Sequence, residues 1–277
     1  MNDLQNKVLN VALVMIIIMI GYIAFLLSIR VFNDKCPQSS KNNFEKINIK
    51  SNHYLDFENA IIDNDKLITN DHIIPIHHSS ESSVNASIDI NRSYEGNKSI
   101  SFNLPSNEGR SEIMIIDIPN NTIKYVGFSV YFPNDYKIPT NWNLFAQWWQ
   151  GSPASPPIAF EIAPNTKEFK MRILTRHGQY QDNNITVQYD QTIEKGKWIN
   201  FIVEMRIDDS GGLNGILNVW KNGKQIVKYN GPLGYRNLKD NTNFRVGLYR
   251  YPFINSSANI YFDKIEIGDK LEIKSNY

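Results

Sequence analysis

Three short segments carry the side chains best suited to chemistry: Gly109-Arg110-Ser111-Glu112-Ile113, Gln147-Trp148-Trp149-Gln150, and Phe244-Arg245-Val246-Gly247-Leu248-Tyr249-Arg250-Tyr251. Between them they hold guanidinium groups that attract anions, amides that donate hydrogen bonds, indoles that stack, and phenols that carry a proton. Each alone has an ordinary structural reading. Arg110 and Glu112 stand two residues apart, which on a strand puts both on one face, where an exposed ion pair is worth at most about 1 kcal/mol. Trp148 and Trp149 point to opposite faces of an extended chain, so one serves the core and the other is open to a ligand. Tyr249 by itself reads as a core tyrosine with a hydrogen-bonded hydroxyl. His77 and His78 are adjacent and diverge on a strand; no carboxylate or cysteine cluster completes a site beside them, so no metal is expected.

The chain that must position these groups is patterned for strands. Aromatic residues make up 12 % of the 277 residues, and together with many β-branched side chains they favour pleated sheet over helix. Period-two runs recur from Tyr54 onward, at 87–90, 98–104, 112–116 and 126–132, each bounded by Gly, Asn or Pro. A long strand is predicted over 198–207 and another over 215–220, which Lys221-Asn222-Gly223-Lys224 joins to 225–227. An Asn-Gly pair between two alternating runs is a strong hairpin signal. A last strand over 260–267 closes the domain. Many strands and hairpin turns, with no helix of consequence, predict an all-β, concanavalin-like antiparallel jelly-roll sandwich.

Residues 8–30 are apolar almost throughout and, at ~1.5 Å rise per residue, long enough to cross a hydrocarbon core of about 30 Å. The run exceeds the h-region of a signal peptide and no small-x-small cleavage site follows it, so one uncleaved transmembrane helix is expected. The organisation predicted is a short tail over 1–7, a transmembrane anchor over 8–30, a flexible stalk over 31–52, one jelly-roll domain over 53–272 and a C-terminal tail over 273–277. That makes a single-pass membrane protein, and the large domain is placed outside the cytosol by the resemblance described next. The net charge of +1 gives no reason to expect nucleic acid as a partner. Cys36 is the single cysteine, which excludes an intrachain disulfide.

In their order along the chain, the three segments resemble the alginate-lyase-like and heparin-lyase-I-like polysaccharide lyases, which share a jelly roll. Those enzymes line one concave sheet with an Arg-Ser/Thr-Glu strand, a Gln-x-His strand and a Tyr-Lys-x-Gly-x-Tyr strand. Arg110-Ser111-Glu112, Gln147-Trp148-Trp149 and Phe244-Arg245-Val246-Gly247-Leu248-Tyr249 look like these three. Ser155-Pro156-Pro157, Gly196-Lys197-Trp198 and the hairpin at 219–224 add to the likeness.

The resemblance implies β-elimination on a uronic-acid-containing polysaccharide, with no cofactor. In that reaction a base removes the proton beside a uronate carboxylate and the glycosidic oxygen leaves at the next carbon; neutralising the carboxylate stabilises the enolate-like intermediate. By the same resemblance Arg110 and Gln147 hold the carboxylate and Tyr249 moves the proton. Trp148, Trp149, Gln150, Arg245, Arg250 and Glu112 are expected to contact the acidic polymer. Position 149 departs from the pattern, with Trp where many members carry His. An indole has no basic nitrogen, so Trp149 stacks on sugar rather than abstracting a proton. Either Tyr249 then serves as both base and acid, or His177, on a strand over 172–177, enters the groove. The alternative is a non-catalytic, lectin-like jelly roll that uses the same indoles and arginines to bind glycan. A third reading is a structural protein whose groove is filled by its own loops.

Overall fold

A computed structural model describes residues 46–78, 85–182, 184–210 and 212–274. The apolar segment 8–30, the tail 1–7, most of the stalk 31–52 and the last residues of the C-terminal tail lie outside the described residues. Among the described residues no helix is long and apolar enough to cross a membrane.

The domain is a sandwich of two sheets. The first has eight strands: β1 (Lys46–Leu55), β5 (Ala86–Asp89), β6 (Ser99–Leu104), β8 (Lys124–Tyr131), β13 (Trp198–Arg206), β14 (Gly215–Lys221), β15 (Lys224–Gly231) and β18 (Ala258–Lys274). Its order is β15-β14-β13-β8-β18-β6-β5, with β1 against the far end of β18. The second has ten: β2 (Ile61–Asp63), β3 (Lys66–Ile68), β4 (Ile73–His78), β7 (Arg110–Ile118), β9 (Asn143–Trp149), β10 (Ile158–Ile162), β11 (Lys170–Gly178), β12 (Asn184–Thr192), β16 (Gly234–Tyr235) and β17 (Thr242–Arg250). Its order is β12-β11-β10-β9-β17-β7-β4-β3-β2, and β16 pairs with β11. Every pairing is antiparallel except that of β16 with β11.

Strand β1 begins inside the segment read as stalk. Lys46-Ile47-Asn48-Ile49-Lys50 already alternates, and it pairs with the end of β18 from Lys46↔Lys274 to Leu55↔Ile265. The Asn222-Gly223 turn joins β14 to β15 with Lys221 opposite Lys224, and both turn residues have positive φ, 49° and 79°, as the tight turns that match strand twist require.

Between the sheets lies one aromatic core. Phe128 of the first sheet meets Phe160 and Phe244 of the second, each at a 6.0 Å ring separation, and its own-sheet neighbours Phe201 and Phe262 at 5.4 and 6.2 Å. Burying each such ring contributes about 1.5–3 kcal/mol. This core also fixes which way every other side chain of the second sheet points. Phe244, Val246 and Leu248 of β17, Ile158, Phe160 and Ile162 of β10, and Met171 and Ile173 of β11 face inward. Period two therefore turns Arg245, Tyr249, Glu161, Arg172 and Arg176 to the opposite face.

Candidate active site

On that outer face the central strands enclose a cavity of about 580 Å³. Strand β7 supplies Arg110 and β17 supplies Arg245 and Tyr249. Strand β9 supplies Gln147 and Trp149, and Glu161 and Arg176 come from β10 and β11. Trp142 and the loop 152–156 complete the wall. Three guanidiniums against one lining carboxylate give the cavity an excess of positive charge, which suits an anionic ligand. Another cavity, of about 440 Å³ beside β1, is lined by His53, His72, Asp56 and Asp71 but by no arginine or lysine.

Glu112 organises the centre. It is 2 % exposed and accepts a 2.6 Å hydrogen bond from Gln147 Nε2 and a 3.3 Å bond from Arg245 Nη1. Arg110 Nε lies 3.5 Å from the same carboxylate. The Arg110–Glu112 pair is thus on one strand face, as the spacing predicts, but at the floor of a cavity rather than at the surface. Burial pushes the Glu112 carboxyl up from its ordinary range, opposed by Arg110, Arg245 and the Gln147 amide. Gln147 gives one N–H to Glu112, and its amide carries a second donor.

Tyr249 stands beside this cluster. The Arg110 guanidinium carbon sits 3.9 Å from its ring centroid, and Trp142 packs edge-on at 4.9 Å. Leu144, Ala159 and Leu174 form a small apolar floor under these two rings. Gly247, between Arg245 and Tyr249, faces Glu112 across the β17–β7 ladder. A Cβ at Gly247 would lie 2.4 Å from Ser111 O and 2.5 Å from Glu112 Cα, and its φ is +138°. Only glycine allows the two strands to approach this closely.

The structure brings Arg110, Glu112, Gln147, Trp149, Arg245 and Tyr249 together, and places the other expected residues elsewhere. Trp148 is 0 % exposed and packs on Phe244 and Phe160 at 4.8 and 5.5 Å; it is the inward member of the Trp pair. Gln150 is buried and engaged with backbone, donating to Tyr235 O and Leu238 O and accepting from Tyr235 N. The buried Arg250 side chain donates to Glu108 O and Pro105 O, holding the loop before β7. His177 does lie on a strand next to β10, with Leu174 opposite Ala159 and Ala159 opposite Gln147. Its neighbour Arg176, however, is the residue that turns to the cavity, so alternation carries His177 away. The assignments of Trp148, Gln150 and His177 to the groove are corrected accordingly, and Arg250 lies outside the central cavity and borders only the smaller one beside it.

Trp149 is in the groove but constrained. Its indole N–H donates to Ala154 O at 2.8 Å, and Arg245 lies over its ring at 4.6 Å. What it can offer a ligand is apolar surface rather than a hydrogen bond.

One histidine absent from the expected set stands beside Glu112. His77 of β4 pairs directly with Glu112, and its Nε2 is buried with no hydrogen-bond partner. Burial, reinforced by the charges of Arg245 and Arg110, lowers its pKa below the ordinary 6.5. Between the ordinary and the lowered value the folded state binds fewer protons at His77 than the unfolded chain does. Stability is expected to decline as pH drops below 6.5 toward the depressed folded value. Urea titrations over that window should show a shallower decline for His77→Gln; identical slopes would mean that His77 titrates as in the unfolded chain.

On the far wall, Arg176 donates to Pro156 O at 2.7 Å, and Arg172 bridges Glu161 at 3.7 Å and Asp190 at 3.2 Å. Burial raises the Glu161 carboxyl. Among the described residues no group of three His, Cys, Asp or Glu side chains could hold a metal ion.

Residues 57–266 match the family described as Polysaccharide lyase. Among solved structures, the endo-β-1,4-glucuronan lyase from the fungus Trichoderma reesei superposes with a TM-score of 0.60 at 15% identity, covering 79% of this chain and 96% of that one. The cellulose induced protein Cip1 superposes with a TM-score of 0.54 at 15% identity, covering 79% and 97%. At such identity the likeness is one of fold. No curated protein sequence matches the chain.

Proposed function

The chain belongs to the polysaccharide lyase family, and from that premise we propose that it cleaves a uronic-acid-containing polysaccharide by β-elimination. The observation that carries this reading is the convergence of Arg110, Gln147, Arg245 and Tyr249 on one cavity of about 580 Å³. Arg110 and the second amide N–H of Gln147 receive the uronate carboxylate, with Arg245 adding positive charge beside them. With the carboxylate's charge offset, the proton on the adjacent carbon becomes removable, because the electron pair left behind spreads into an enolate-like system held by these donors. As the carbon–oxygen bond at the next carbon breaks, a double bond forms and the departing oxygen takes a proton. Tyr249 is the proton-transfer group at this position. His77 pairs with Glu112 on the same sheet face but lines neither cavity, and its Nε2 is buried, so Tyr249 serves as the proton-transfer group on its own.

A second reading, a non-catalytic glycan-binding module, is favoured by Trp149, an indole without a basic nitrogen on the cavity wall. Incubation with glucuronan, alginate, heparin and pectate separates the two. The lyase reading expects ultraviolet absorbance from unsaturated uronate ends to grow with time. Measurable binding with no such product on any of the four would replace it with the module. A membrane tether through residues 8–30 belongs to the same proposal and is supported by the length of the apolar run; the placement of this domain outside the cytosol rests on the lyase reading.

A further inference from the structure

The groove continues past Tyr249. A second cavity, of about 350 Å³, shares Arg110, Trp142 and Tyr249 with the first and is completed by His78, Gly109, Arg250 and Pro252. From there a run of rings leads outward: Tyr249 to Trp142 at 4.9 Å, Trp142 to Tyr251 at 6.5 Å, and Tyr251 to Phe253 at 5.5 Å. Exposure rises along it, to 37% at Tyr251 and 73% at Phe253. The core gains nothing from a phenyl group in that position, whereas adjoining exposed apolar side chains mark a surface that something covers.

The placement indicates what that is. Trp149 lies by Asn243 at one end of β17, and Tyr251 follows Arg250 at the other. Seven steps of extended strand lead from Asn243 to Arg250, roughly 23 Å. Aromatic surfaces therefore flank the Arg245–Tyr249 centre at both ends, and a polymer entering the cavity on the Trp149 side is led out over Trp142 and Tyr251. The stretch Tyr251-Pro252-Phe253-Ile254-Asn255 carries no charge. Recognition over Tyr251 and Phe253 is by the apolar C–H faces of sugar rings, beyond the Arg110 and Arg250 guanidiniums that line the second cavity.

We propose that Trp142, Tyr251 and Phe253 form an outer subsite that stacks on sugar residues leaving the central cavity past Tyr249, so that this protein selects long polysaccharide chains over short ones. The inference rests on the lyase reading for the location of the centre, but its measurement does not depend on turnover.

The full chain is compared with Tyr251→Ala, Phe253→Ala and the double variant on a long acidic polymer that the wild type accepts and on its trisaccharide. The double variant is expected to lose about tenfold of the long-over-short preference in KM, equivalent to about 1.4 kcal/mol, and Phe253→Tyr, which keeps a ring, to restore most of it. An unchanged ratio overturns the subsite and leaves the lyase reading standing. If the wild type binds polymer without cleaving it, the same ratio is read from Kd, and the subsite survives on a tenfold loss while the lyase reading falls. A wild type that binds no acidic polymer overturns both. The exposure of Phe253 makes misfolding an unsuitable explanation for any loss, and thermal unfolding of each variant confirms that it is folded.

Discussion

Replacing Tyr249 by Phe is expected to lower kcat on an acidic polysaccharide by about 10²- to 10⁴-fold, the usual worth of a positioned proton-transfer group, with polymer affinity little changed. The substitution removes one oxygen and keeps the ring. The contacts of that ring, with the Arg110 guanidinium at 3.9 Å and with Trp142 at 4.9 Å, need no hydroxyl. The groove therefore retains its shape and its charge while the group proposed to protonate the leaving oxygen is gone. An interaction made only in the transition state lowers kcat and kcat/KM together, and that pattern is the signature to look for. His77→Gln provides the comparison: His77 lines neither cavity and its Nε2 is buried, so this variant is expected to keep most of its turnover. Turnover of Tyr249→Phe equal to that of the wild type would remove the phenol from the chemistry.

The difference between Tyr249 and His77 also shows how much of the site was legible in the sequence. Alternating runs and the Asn222-Gly223 turn are local signals, and strands β14 and β15 follow from them directly. Arg110, Gln147, Arg245 and Tyr249 were found because each sits in a distinctive short segment. His77 has no such context. It matters because β4 pairs with β7 and sets it opposite Glu112, a pairing between strands separated by more than thirty residues that no local pattern announces. In the sequence the His77-His78 doublet suggests only a metal ligand, and alternation removes that suggestion without pointing to the carboxylate that β7 sets opposite His77.

Arg176 was hidden for a different reason. In Ile173-Leu174 two apolar residues are adjacent, so hydrophobicity alone does not tell which face of β11 is buried. Ile173 joins the core and Leu174 the floor of the groove, which sends Arg176 outward and His177 away. Trp148-Trp149 posed the same ambiguity, and the aromatic core settled it by taking Trp148. Gln150 and Arg250 are polar residues whose partners are backbone carbonyls of distant loops, and tertiary contacts of that kind leave no trace in spacing.

Glu112→Ala is expected to cost about 3–5 kcal/mol of stability, the loss typical when one partner of a buried ionic cluster is removed. At the ~2–4 °C per kcal/mol of a domain this size, that corresponds to a fall in Tm of about 6–20 °C. The cost arises from what is left behind. Without the carboxylate, the Arg245 and Arg110 guanidiniums face each other with no counter-charge between them, and the Gln147 donor held at 2.6 Å loses its acceptor. Glu112 and Arg245 are both buried, and an unpaired charge in a buried position is penalised most. Glu112→Gln keeps the volume and one acceptor, so it should fall between the wild type and alanine. Removing both charges in Glu112→Leu with Arg245→Leu should cost less than the sum of the two single changes, because neither ion then remains alone. Both Glu112 variants should also raise KM, because Arg110 and Gln147 lose the anchor that aims them at a substrate carboxylate. A Glu112→Ala domain within about 1 kcal/mol of the wild type would mean that water already reaches the carboxylate, since surface ion pairs are worth no more than that, and the cluster would then not be what orients the groove.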